Sequence, residues 1–219
     1  MGIQHAVIFG AHCDDIVLSA GQLLAGRPGT LAVTVFAGDP LDPHVLAPCD
    51  VRSGFHSSAD GMAVRRNEDR RALGVLECHA VHLEFPEHAY RELAGGQLDV
   101  DAVVAVMAGV LTRDTVAMFI PLGLCHPDHA TVRECGLRVA EEFAGEVWLF
   151  EDLPYRVQNP EASIQALASI AGRGLSPAPA FAGSGDKERK RLAVSMYQSQ
   201  LWALDLDCVF VPERQWRLR

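Results

Sequence analysis

The sequence predicts an α/β fold: an open, mostly parallel sheet with helices on both faces, Rossmann-like in layout. Short β-rich runs alternate with longer helical ones along most of the chain. Strands separated by helices pair in parallel through right-handed crossovers, which leaves the sheet covered on both faces. The first run, His5–Gly10, is apolar enough for a buried strand, and Ile16–Ala25 reads as the helix after it. Thr30–Phe36, rich in Val, Thr and Phe, is the second strand. Met62–Leu76 carries charges on one side and apolar residues at helical spacing. Ala80–Leu83 reads as a strand, Val100–Leu111 as an apolar-faced helix and Thr115–Ile120 as another strand. His129–Phe143 is a helix, Glu146–Phe150 a strand and Glu161–Ala171 a further helix.

Two stretches break the alternation. Residues 38–61, "GDPLDPHVLAPCDVRSGFHSSADG", form a long Pro-, Gly- and Ser-punctuated connection, and loops of that length tend to be binding loops or lids. Residues 152–219 are irregular in their first part. Neither resembles a linker between two cores, so one domain over residues 1–219 is expected.

The 219 residues are 49% hydrophobic and 21% charged, which is enough for a sizeable core. A net charge of −9 argues against a sequence-independent nucleic-acid binder, because neutralising phosphates needs a basic surface. No charged leader precedes an apolar stretch, and no apolar run approaches the roughly 18 residues that span a bilayer. A cytoplasmic protein without membrane contact is expected, and a homo-oligomer is left open. The six cysteines are scattered without CxxC spacing, which reads as reduced, mostly buried thiols.

Chemistry concentrates at two strand ends. The first strand runs straight into His12, Cys13, Asp14 and Asp15. Buried carboxylates are costly unless paired or bound to a metal. The Thr115–Ile120 strand leads into "PLGLCHPDHATV", with His126 and His129 around Pro127 and Asp128. Ligands of open α/β sheets bind outside the carboxyl ends of strands, so both clusters emerge where a site is expected. Each alone reads equally as a capped helix start. Together, His12, one of the two aspartates and one of the two later histidines could form a three-ligand zinc site with a position open for water.

The chain resembles the LmbE-like or PIG-L deacetylases, zinc-dependent enzymes that remove acetyl groups from N-acetylglucosamine-type sugars. The resemblance rests on "AHCDD" for their Ala-His-Pro-Asp-Asp, an unchanged "HPDH", "RRNED" at Arg65–Asp69, "FPEHAYR", and "YQSQ" at Tyr197–Gln200. It implies zinc, or another divalent metal such as Fe²⁺, held by His12, Asp15 and His129. It also implies Asp14 as general base, His126 facing the developing oxyanion, which it would stabilise if protonated, and Arg65 as a substrate contact. Glu87 takes the place of the family's aspartate at a second substrate position. His56, Ser57, Tyr155 and Arg156 are further cleft candidates. Cys13 stands where the family has proline, and Glu77 where glycine is common; Cys13 and Cys125 are expected to fill core space. The resemblance implies an N-deacetylase of an amino-sugar or glycoconjugate. An amidase of a sugar-linked thiol conjugate and a non-catalytic metal-containing carbohydrate-binding module are the alternatives. A phosphate-cradling glycine loop after the first strand is missing, which weighs against nucleotide binding.

Overall fold

The computed structural model describes residues 5–42, 44–180 and 185–219. The parts of the 38–61 and 152–219 stretches at residues 43 and 181–184 therefore lie outside the described residues. Five parallel strands, β1 (His5–Gly10), β2 (Leu31–Thr34), β3 (His79–His82), β4 (Thr115–Pro121) and β5 (Glu146–Phe150), form most of one sheet. β6 (Pro177–Ala180) and β7 (Gln215–Leu218) complete it, β7 antiparallel to both β5 and β6, in the order β3-β2-β1-β4-β5-β7-β6.

Alternation along the parallel strands sends successive side chains to two separate cores. Ala6, Ile8, Phe119 and Phe150 pack on one face, with α1 (Asp15–Ala25) and α3 (Ser58–Val75) and with α9, which spans Lys187–Val194. Val7, Phe9, Met118, Ile120 and Leu149 pack on the other. There they meet α5 (Val100–Val110), α6 (Pro127–Ala140) and α8 (Pro160–Ala171). Strands buried on both faces read as continuous apolar runs, which is why β1, β2, β4 and β5 were legible. Gly136 lets α6 sit close on β4: a Cβ there would lie 2.6 Å from Ile120 Cγ2.

Sequence and structure differ in three places. Residues 44–61 are partly helical rather than a continuous loop. They contain α2 (Pro48–Arg52), and the Asp50 carboxylate at its centre is fully buried. Ser58 Oγ accepts from the Ala47 amide and Ser58 N–H donates to Val45 O, which staples the loop to the start of α3. The irregular C-terminal part supplies two strands that the sequence did not announce. Cys125 is exposed rather than packed behind its motif, although Cys13, Cys78 and Cys135 are buried and all six thiols are free. Glu77 has φ 58°, in the left-handed region, which explains the glycine of the related pattern. Among the described residues no helix is long and apolar enough to cross a membrane.

The strand order reverses between β1 and β4, because the chain moves outward through β2 and β3 and then returns to β4. The crevice beyond the carboxyl ends of β1 and β4 is therefore the topological switch point.

Candidate metal centre and active site

After β1 the chain turns through Ala11–Asp14 and enters α1 at Asp15. After β4 it turns through Gly123 (φ 77°) and Cys125 (φ 59°). Pro127 then opens α6 in its first turn, where a missing N–H costs nothing. These two turns bring His12, Asp15 and His129 together. Asp15 Oδ2 lies 3.2 Å from His12 Nδ1 and 3.0 Å from His129 Nε2, and the two nitrogens are 3.3 Å apart. Tetrahedral zinc with bonds of about 2.0–2.1 Å places its ligand atoms about 3.3 Å apart. The triangle matches one face of that tetrahedron. Ring nitrogens of His126, His12 and His129 also fall within 4.8 Å of one another. His126 is the poorer third ligand, because its Nδ1 accepts from the Asp128 amide at 3.1 Å as the cap of α6.

The remaining nitrogen of each proposed ligand histidine is fixed by a buried carboxylate. His12 Nε2 lies 3.0 Å from Asp128 Oδ2, and His129 Nδ1 lies 2.7 Å from Asp152 Oδ1. Asp128 in turn accepts from Arg91 Nη2 at 2.7 Å and from the His88 amide at 2.8 Å. Asp152 accepts from the amides of Gly123 at 2.8 Å and Leu124 at 3.1 Å. Carboxylates in this position set the tautomer and orientation of metal-binding imidazoles.

Charge tells the same story. Burial would raise the Asp15 carboxyl, yet His129 and His12 hold it well below the carboxylate range. Burial would lower both imidazoles, yet Asp128 and Asp15 raise His12 well above its ordinary value, and Asp15 with Asp152 brings His129 to about 9. The cluster thus calls for positive charge, which a divalent cation would supply in place of protons. The donor set fits zinc.

Asp14 is different. It occupies the N-cap of α1, but its carboxyl makes no cap bond and no other hydrogen bond or ion pair among the described residues. Burial, then the neighbouring Asp15 carboxylate, push it up to about 7 against the opposing His12 and His129. His126 is pushed down to about 4 by burial and then by His12 and His129. With Nδ1 accepting, the proton sits on Nε2, and the ring remains a donor. The Tyr155 ring stands edge-on to His129, 5.1 Å between centroids.

Arg65 and Glu87 are brought together less directly. Arg65 is 5% exposed; its Nη2 donates to Asp50 Oδ1 at 2.5 Å and its Nη1 to Tyr90 Oη at 3.1 Å. Glu87 stands 3.9 Å from Arg65 Nη1, and burial raises its carboxyl. Two of the Arg65 donors are thus already engaged within the protein. Three further candidates have other contacts or face solvent. Ser57 caps α3 through the Asp60 amide, His56 is exposed, and Arg156 turns to Glu151 and to Pro212 O.

The remaining quoted motifs brace one another. Glu68 accepts from Ser199 N–H and Oγ at 2.8 and 2.7 Å, Asp69 from Tyr197 Oη at 2.7 Å, and Gln200 Nε2 donates to Cys13 O at 3.0 Å. The Cys13 donor atom groups with those of Asp69 and His82. Sequence reading missed Asp152, Arg91 and Asp50 and gave Asp128 no role. Glu151–Asp152 directly follows β5, the same placement that drew notice to His12–Asp15.

The sequence profile of PIG-L, GlcNAc-PI de-N-acetylase, matches residues 7–140, more than half of the chain and all of the residues just described up to α6. The chain belongs to the PIG-L family. Among solved structures it is similar to teicoplanin deacetylase Orf2 in its zinc-inhibited form. Identity there is 22% over 98% of both chains, with a TM-score of 0.78. It is also similar to Dbv21, an A40926 pseudoaglycone deacetylase, at 26% identity over 99% of this chain and 97% of the other, with a TM-score of 0.74. GalB, a 4-carboxy-2-hydroxymuconate hydratase from Pseudomonas putida, shares the fold at 16% identity, 99% and 96% coverage and a TM-score of 0.57. No curated protein sequence matches the chain. Within the PIG-L family, then, the two turns at the switch point are the place to look for the reaction.

Proposed function

We propose that the protein is a zinc-dependent N-deacetylase that hydrolyses the amide of an N-acylated amino sugar carried on a larger glycoconjugate. Family membership supports the reaction class, and the similar deacetylases named for teicoplanin and A40926 support a sugar on a bulky aglycone. The observation that carries the reading is Asp14, a half-buried carboxyl left without a partner beside a three-ligand tripod.

His12, Asp15 and His129 would hold the metal, which when bound supplies Lewis acidity to a water and to the amide carbonyl. Zinc suits this N₂O donor set, with Fe²⁺ as the alternative ion. Asp14 takes the proton of the attacking water and returns it to the leaving amine, a task suited to a carboxyl near neutrality. His126 donates from Nε2 to the developing oxyanion as a neutral ring. Arg65, fixed by Asp50 and Tyr90, orders Glu87 at the cleft wall, and Glu87 accepts from substrate hydroxyls. A cytoplasmic location goes with this reading. A pure carbohydrate-binding module would have no use for Asp14.

The test is acetate release from a panel of N-acetylglucosamine glycosides, N-acetylated glycopeptide intermediates and sugar-linked thiol conjugates, with and without chelator. Chelator-sensitive acetate from a glycoside is expected. Turnover confined to thiol conjugates would move the substrate class, and no release from any amide would remove the reaction.

A further inference from the structure

A cavity of about 550 Å³ lies between α8 and the segment leading into β7. The turn at residues 151–156 separates it from the tripod. Asp152 and Tyr155 face His129, whereas Glu151 and Arg156 line the cavity. Its walls are apolar, with Val157, Pro160, Ile164, Leu167, Val211 and Pro212. Small-molecule sites of roughly 300–1,000 Å³ have this make-up: apolar walls with a few convergent polar groups.

Three lining atoms are buried without a hydrogen-bond partner: the donors of Ser163 and Trp216, and Glu151 Oε2. Ser163 is 5% exposed, and its buried Oγ has no hydrogen-bond partner. A serine inside a helix commonly bonds back to a carbonyl one turn earlier, and this one does not. Trp216 Nε1, on the other wall, is also buried without a partner. An indole N–H can only donate, so a matching ligand must present an acceptor there. The charge of the lining decides what kind. Arg156 Nη1 lies 3.2 Å from Glu151 Oε2, and its Nη2 donates to Pro212 O at 2.8 Å, so the two charges offset one another although Glu151 Oε2 itself accepts no hydrogen bond. Arg214 stands 3.9 Å from the same Glu151 oxygen with its side chain 64% exposed. One guanidinium is therefore left over.

We propose that this cavity is a second, non-catalytic site for a small carboxylate with an apolar body. The carboxylate takes the Trp216 N–H, the Ser163 O–H and the Arg214 guanidinium, and the hydrocarbon lies along Ile164 and Leu167.

Calorimetric titration of the full chain in its zinc-loaded form tests this with three probes of equal chain length: octanoate, octanol and octylammonium. Octanoate is expected to bind at least tenfold more tightly than either of the others. Ser163→Ala, Trp216→Phe and Arg214→Gln, each of which removes a donor, should each weaken octanoate by about tenfold or more, the usual worth of a hydrogen bond to a charged group. Zinc content should not change in any of them. Octanoate held at the metal tripod would ignore all three substitutions, and that result overturns the proposal. So does a preference for octylammonium, which would make Glu151 the recognition group, or the lack of any binding by octanoate.

Discussion

Asp14 stands at the N-cap of α1, where an aspartate ordinarily accepts from the second or third amide of the helix, and it accepts from neither. His126 caps α6 instead of the aspartate that follows it, which frees Asp128 to reach His12 across the crevice. Two local preferences are thus overridden at the same spot, and both overrides serve the tripod. The motif residues were legible because carboxylates at the mouth of a core strand conflict with burial. Asp128 and Asp152 were not, since their work depends on contacts that span 116 and 23 residues of sequence. If they orient the ligand rings, Asp128→Asn should weaken zinc binding by roughly 10- to 100-fold, the usual effect of losing such a partner. Competition with a chromogenic chelator measures it, and unchanged affinity would reduce Asp128 to an anchor for Arg91.

Helix α1 is bent at Ala20, where φ is −135°. The polar groups freed by the bend are taken up by residues far along the chain. Lys190 Nζ, in α9, donates to Leu18 O at 2.6 Å, and Glu213 accepts from the amides of Gln22 at 2.8 Å and Leu23 at 3.0 Å. Lys190 and Glu213 are 2.9 Å apart and nearly inaccessible to solvent. Removing one member of a buried pair leaves the other charged and unpaired, at a cost of about 3–5 kcal/mol. Lys190→Met should therefore destabilise by about that much in urea unfolding, and adding Glu213→Gln should recover part of the loss. A Lys190→Met protein as stable as the parent would mean that the bend needs no strut. Helix α2 is held in a comparable way by the buried Asp50–Arg65 pair. Asp50→Asn should cost stability and raise KM through Arg65 and Glu87 while leaving zinc content intact; loss of zinc would contradict the assignment of that pair to the substrate side. The antiparallel edge escaped the sequence for a physical reason. Pro177 and Pro179 lack amide donors, and such a stretch reads as loop unless it lies at the margin of a sheet, where β6 is.

Across the whole molecule, the parallel half of the sheet was readable to within two residues at each strand end, because its central strands are buried on both faces and largely apolar, while the edge strand β3 carries His79 and His82 and is partly exposed. The switch point that unites the two motifs follows from strand order, which alternation alone does not fix. The same fold in a hydratase shows that architecture by itself leaves the reaction open, so the account rests on side chains at that point. If they hold zinc in the folded state only, a hundredfold excess over Kd adds about 2.7 kcal/mol of stability. For a chain of this size that is a rise in Tm of roughly 5–10 °C. Chelator should reverse the rise, and Asp15→Asn should show little of it; an equal shift in that variant would take Asp15 out of the ligand set. The most direct test sets Asp14→Asn beside Asp15→Asn and measures bound zinc and acetate release on both. The predicted result is an Asp14→Asn protein with full zinc and kcat lower by roughly 10²- to 10⁴-fold, the worth of a positioned general base, while Asp15→Asn loses zinc and regains some activity when zinc is in excess. Zinc lost from Asp14→Asn and retained by Asp15→Asn would contradict the account.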